Sequence, residues 1–404
     1  MSSHTNPLLQ PLQLPCGATI KNRIAKAAMT ERLADRNQHA TAALEHLYRH
    51  WSANDAGLLI SGNIIVDRRF KEASANIVLE DESGLPALSR MVAAGTQNNT
   101  HFWAQISHAG RQSTIFSTFK PIAPSAVKLK KLMLFAKPRA MTMEEIKDVE
   151  DRFVNTAILC KKAGFTGVQI HSAHGYLLNQ FLSPITNQRT DEYGGSIENR
   201  SRLLLDIVRR VRAELGADFP VSVKLNSADF QRGGFNEEDS LIVIQKLEEQ
   251  GIDLLEISGG TYENITFLTE RYQRKSTQER EAYFMDFARK IRKHTNLPLM
   301  ITGGFRSRAF CEEVLRKKEL EMIGFARPFL NEADFPNRFL ENADSRVSDA
   351  VFNFKIHQMR DFAEAGFYDY QIHQLAGGKD LKPGYNPYLA VLRMTKNELV
   401  KGWF

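Results

Sequence analysis

The stretch Gly167-Val-Gln-Ile-His-Ser-Ala-His-Gly-Tyr176, continuing as LLNQFLSPITNQRTDEYGGSIENR to Arg200, runs from short apolar residues through two histidines, a tyrosine and a Gly-Gly turn into a periodic apolar pattern. Residues 167–170 read as a buried strand. After Ser196, Ile197, Leu203, Leu204, Ile207, Val208 and Val211 recur at helical spacing. His171, His174 and Tyr176 therefore fall at the C-terminal end of a strand. In folds made of βα units, side chains reach ligands there, because loops vary above a rigid strand.

The same alternation repeats along the chain. Apolar runs near 24–28, 57–62, 101–106, 167–171, 221–225, 253–257, 298–302 and 320–325 predict eight strands. Helical periodicity is expected near 40–54, 84–98, 142–163, 197–215, 237–250, 279–294 and 306–317, with another helix after 328. Eight βα units predict a closed α/β barrel of the (β/α)8 TIM type, with a doubly wound open sheet as the alternative, since parallel strands need long crossovers and closure removes edges. Helix-to-strand links are brief, whereas 107–141, 172–196 and 258–278 are long. One rim therefore carries the site. Residues 9–14 and 18–20, joined by a turn at Pro15-Cys-Gly17, predict an N-terminal hairpin plugging the barrel floor.

The 404 residues, 43% hydrophobic and 25% charged, fit a globular chain with a large core. A barrel commonly takes ~250 residues and more with insertions. The division expected is a barrel over 1–340 and a helical C-terminal extension over 341–404, packing on the barrel or on a partner subunit. The net charge of +6 is scattered, without the basic face that nucleic-acid binding requires. No secretory pattern opens the chain, so a cytoplasmic, non-membrane protein is the expectation. Cys16, Cys160 and Cys311 form no CxxC pair, which predicts neither a disulfide framework nor a metal cluster.

At the strand ends stand Thr30, Gly62, Gln105, His171, Lys224, Ser258, Gly303 and Gly324, a ring of polar residues and glycines suited to a hydrogen-bonding ligand. Gly303-Gly304 after the seventh strand and Gly324-Phe-Ala-Arg327 after the eighth suggest a phosphate cradle, which glycine turns, helix N-termini and an arginine favour. Tight turns alone are the alternative. Lys224 interrupts an apolar strand and needs an anion, either a ligand or an acidic core residue, with the ligand preferred. His171 and His174 can be read as metal ligands, as satisfied buried histidines or, preferably, as donors to one substrate oxygen. Tyr176 is either a packed aromatic or a general acid.

These residues resemble the old yellow enzyme family of FMN-dependent NAD(P)H oxidoreductases, from about Leu8 to about Leu340. The motif from His171 to Arg200 carries the resemblance, with Gln105-Ile-Ser-His-Ala-Gly-Arg111, Lys224-Leu-Asn-Ser-Ala-Asp-Phe230, Gly303-Gly304 and Gly324-Phe-Ala-Arg327. It implies FMN at the barrel mouth, against Ala28, Met29 and Ser258, with the phosphate at Gly303, Gly304, Gly324, Ala326 and Arg327. Thr30 would meet the flavin O4 edge, Gln105 the pyrimidine edge and Lys224 the N1 and O2 side, and Gly62 would let the ring approach the backbone. His171 and His174 would hold a carbonyl or nitro oxygen of the substrate, and Tyr176 would supply a proton. The implied reaction is ping-pong: NADH or NADPH reduces the flavin, which then reduces an activated alkene. Lysine at 224 departs from the arginine of many relatives, so the bidentate fork is lost. Thr30 replaces one branch's cysteine, and Ser107 a large aromatic. A flavin-binding redox storage or sensing protein is the alternative function, and a homodimer is a possible assembly.

Overall fold

A computed structural model of the chain describes residues 6–130, 134–261, 285–350, 352 and 360–403. The eight anticipated strands are β1 (Ile24–Lys26), β2 (Leu58–Ile65), β3 (His101–Ser107), β4 (Gly167–Ser172), β5 (Val221–Asn226), β6 (Leu254–Ser258), β7 (Leu299–Thr302) and β8 (Met322–Phe325). They run in spatial order all the way round. β8 pairs in parallel with β1 and β1 with β2, which closes the barrel.

Each strand alternates between two apolar environments. The outward residues Leu59, Ala104, Val168, Val223, Leu255 and Ile301 join the large core beneath the helices. The inward ones, Ala25, Leu58, Ile60, Trp103, Leu254, Met300 and Met322, form a separate floor cluster with Leu12, Leu14 and Ile20. Leu12–Gln13 and Thr19–Ile20 pair antiparallel, so the N-terminal hairpin does plug the floor. Gly167 starts β4 without a side chain because a Cβ there would lie 2.5 Å from the Trp103 indole nitrogen.

The surrounding helices are α1 (Ala42–Ala53), α2 (Leu85–Gly95), α3 (Met143–Ala163), α4 (Ile197–Leu215), α5 (Glu237–Glu249) and α6 (Arg308–Arg316). α3 opens with a capping box between Thr142 and Glu145 and stops at Gly164, whose φ of 100° is left-handed. The helix expected near 279–294 is described only from 285, where it is helical to 291. The single helix expected after 328 is instead two short pieces, Pro328–Asn331 and Asn337–Glu341, parted where Glu332 turns extended with φ −135° and ψ 118°. Two longer helices follow, α7 (Arg360–Ala376) and α8 (Pro387–Trp403); α7 packs against α1 and α8. Among the described residues no helix is long and apolar enough to cross a membrane.

Candidate active site

Above the apolar floor the inward positions turn polar. Gln105 of β3 donates to Gln169 of β4 at 2.8 Å, and Gln169 donates to Glu256 of β6 at 2.9 Å. Thr302 of β7 donates to the same carboxylate at 2.6 Å, and the Lys224 ammonium of β5 lies 2.7 Å from it. Glu256 is fully buried, and these three donors satisfy its carboxylate. The expectation preferred a ligand over an internal salt bridge as the partner of Lys224. The strand register sets position 224 beside 256, so the internal pair forms, while Lys224 also lines the cavity.

On this layer rests a cavity of about 140 Å³, lined by Ala28, Met29, Thr30, Asn63, Glu72, Gln105, His171, His174, Tyr176 and Lys224. Eight of its ten lining residues are among those singled out from the sequence. Among the described residues, no group of three or more His, Cys, Asp or Glu is placed to hold a metal ion.

The histidine wall has a defined chemistry. The His171 ring stands edge-on to His174 at 5.3 Å and to Tyr176 at 4.7 Å between centroids. The Ala173 backbone N–H donates to His171 Nδ1 at 3.3 Å, which leaves the proton on Nε2. Burial, with His174 and Lys224 nearby, holds His171 well below the usual imidazole range. Burial and Lys224 likewise push His174 down to about 3, so both rings are neutral at physiological pH. His174 adopts a left-handed φ of 60°, and its N–H bonds Asn226 Oδ1 at 3.2 Å. Its Nε2 lies 2.6 Å from Ser258 Oγ. Ser258, expected to face a cofactor, has its hydroxyl engaged in orienting this imidazole.

The opposite wall carries residues the sequence reading missed. β2 shifts register between Ile60 and Asn63, a bulge that turns Asn63 toward the cavity. Asn63 donates to Glu72, which also accepts the Thr30 hydroxyl proton at 3.0 Å. The Thr30 hydroxyl, expected at the flavin O4 edge, here donates to Glu72 and offers its lone pairs to the cavity. Gly62, expected to let the ring approach the backbone, also makes room for protein atoms. A Cβ there would sit 2.1 Å from Glu31 Oε2 and 2.4 Å from the Met29 carbonyl oxygen, so protein atoms already use the space its missing side chain frees.

The glycine loops sit further round the same rim. Gly303 and Gly304 have left-handed φ values of 90° and 89°, and nothing lies within 4 Å of a Cβ built on Gly303. This open concavity precedes α6, and β8, carrying Gly324 and leading to Ala326, is hydrogen-bonded to β1, which leads to Ala28. Arg327, expected at a phosphate, is paired with Glu364 of α7 at 2.8 Å and remains about half exposed.

The later half of the long motif is scaffolding. Asn187 Nδ2 donates to the Phe181 and Tyr193 carbonyls, both at 2.7 Å. The buried Arg200 guanidinium spans the Leu182 and Gly195 carbonyls and Asp239 of α5. These bonds clamp the loop that presents His171 to Tyr176.

The cavity, its cation and the open glycine turn fit a planar, hydrogen-bonding cofactor bearing a phosphate. The NADH:flavin oxidoreductase / NADH oxidase family model matches residues 7–345. The NADH-dependent flavin oxidoreductase iliE of Hypocrea jecorina is 33% identical over 366 residues, covering 84% of this chain and 90% of that protein. The iliE protein of Neonectria sp. is 36% identical over 347 residues, covering 79% of this chain but only 45% of that longer protein. The solved old yellow enzyme homologue from Zymomonas mobilis superposes with a TM-score of 0.71 at 26% identity, over 85% of this chain and 95% of that one. The chain thus belongs to the NADH:flavin oxidoreductase / NADH oxidase family, as an FMN-dependent NAD(P)H oxidoreductase of old yellow enzyme type.

Proposed function

We propose that this protein takes hydride from NADH or NADPH and reduces activated alkenes, α,β-unsaturated carbonyl or nitro compounds, in two half-reactions at one site. The observation that carries this reading is the cluster of neutral His171, neutral His174 and Tyr176 on one cavity wall. A redox storage protein needs none of the three.

Bound FMN supplies the hydride-accepting and hydride-donating chemistry. Ala28, Met29, Thr30, Gln105 and Lys224 hold its ring from the cavity walls, with Gly62 and Ser258 acting through Glu31 and His174. Gly303, Gly304, Gly324, Ala326 and Arg327 take the phosphate, with Arg327 leaving or sharing Glu364 to do so. The His171 Nε2–H donates to the substrate oxygen, and Ser258 fixes the angle at which His174 joins it. Neutral imidazoles suit this work, since they polarise the oxygen without giving it a proton. Tyr176, at the N-terminus of helix Leu177–Leu182, delivers the proton to the substrate carbon.

The protein acts on small molecules in the cytoplasm and forms a homodimer. Residues 1–340 are the FMN-binding unit, and 341–404 an extension that packs on it. The test is titration of the FMN-loaded protein with a phenol, whose oxygen mimics the substrate's. A long-wavelength charge-transfer band is expected, and His171→Ala with His174→Ala removes it while FMN stays bound. Unchanged phenol affinity in that variant contradicts the assignment.

A further inference from the structure

Resting on the FMN reading above, we infer that Glu256, beneath the cavity and out of reach of any ligand within it, is a positioning residue that sets how much of the Lys224 charge the flavin feels. Lys224 lines the cavity with its side chain only 6% exposed, and Glu256 behind it is at 0%. Their contact is 2.7 Å, and Thr302 and Gln169 hold the carboxylate from two other strands. Among the described residues, Lys224 also interacts with His171 and His174, both neutral, and with Lys26, which packs against Trp51, while Glu72 and Tyr176 line the cavity above. Within this layer the carboxylate is therefore the counter-charge to the ammonium.

Two consequences follow from electrostatics. The 2.7 Å contact to Glu256 holds the Lys224 ammonium in place beside the cavity. The same negative charge offsets part of the positive field above it. Reduction adds negative charge to the flavin, and the pair therefore favours the reduced form less than a lone cation would. A lysine at 224 with a carboxylate behind it is a weaker electron-attracting device than its single charge suggests.

The experiment is the midpoint potential of FMN bound to the full chain, measured by dye equilibration at neutral pH for wild type, Glu256→Gln, Lys224→Met and the double variant. Glu256→Gln removes the offsetting charge with little change of shape. It is expected to raise the preference for reduced over oxidised FMN at least tenfold, an upward shift of about 30 mV for a two-electron couple. In the Lys224→Met background an unpaired buried carboxylate is neutralised, so adding Glu256→Gln changes the preference less than about threefold. That second comparison carries the test if Glu256→Gln alone does not fold.

An unchanged potential in Glu256→Gln overturns the inference. So does an equal shift in both backgrounds, which would mean that Glu256 acts on the flavin without Lys224. A wild-type protein that takes up no FMN overturns the functional reading, and this inference with it.

Discussion

Replacing Gly62 by alanine tests whether its missing side chain serves the protein or the ring of the cofactor. An added Cβ lies 2.1 Å from Glu31 Oε2, which a rotamer change can relieve, and 2.4 Å from the Met29 carbonyl oxygen, which only backbone movement can. Forcing that movement costs about 1–3 kcal/mol of overpacking. Glu31 Oε1 accepts the Gly62 N–H at 2.8 Å and is also bonded by the buried Tyr48 hydroxyl. Displacing the carboxylate forfeits a hydrogen bond to a charged group, about 1.5–3 kcal/mol. Together the loss is about 2.5–6 kcal/mol, a large share of the roughly 5–15 kcal/mol typical of a folded domain. Urea unfolding of the FMN-free proteins, followed by tryptophan fluorescence, measures it. Because Met29 lines the cavity, FMN affinity should fall too. A Gly62→Ala protein as stable as wild type without FMN, but weak in binding it, would refute the reasoning and restore the glycine to the ring.

Three other outcomes follow. Tyr176→Phe should leave flavin reduction by NAD(P)H intact and slow alkene reduction by about two orders of magnitude or more, and equal losses in separate stopped-flow half-reactions would sink the proton-donor role. Burial depresses His108 to about 4 and His174 to about 3, with His171 also well below its ordinary value. Unfolded histidine binds a proton near 6.5, so stability should be full above that pH and fall as pH drops toward these folded values, by up to about 1.4 kcal/mol per pH unit for each ring. Urea midpoints that do not fall between pH 7 and pH 5 would contradict buried neutral rings. In the C-terminal extension, Glu398 of α8 bonds Arg32 Nε at 3.1 Å and accepts the Ser74 N–H at 2.7 Å. Glu398→Ala should speed hydrogen exchange in the segments around Arg32 and Ser74, which adjoin the cavity residues Thr30 and Glu72. Unchanged exchange there would show that the tail does not brace the rim.

The strands were legible because alternation and short apolar runs are local signals. The histidine wall was legible because His171 directly follows such a run. Glu256 and Gln169 were visible as polar residues inside apolar strands, yet what they meet depends on closure of the ring. Lys224 and Glu256 become neighbours only through the β5–β6 register. Glu72 comes from the loop after β2, where the dense charges from Asp67 to Glu72 gave a signal but no direction. That Glu31 folds back against Gly62 is not revealed by the sequence, because the two meet only across neighbouring strands. Arg327 was read as free for a phosphate because its partner Glu364 belongs to a helix 37 positions on. Most of the long stretch over 258–278 lies outside the described residues.

The most direct measurement is anaerobic stopped-flow absorbance of the FMN-loaded protein, reduced by NADH or NADPH and then mixed with 2-cyclohexenone. The account predicts bleaching of the flavin band by the nicotinamide, then rapid recovery on adding the enone in the absence of oxygen. Bleaching without recovery would contradict the alkene as acceptor, and a protein that binds no FMN would contradict the account at its root.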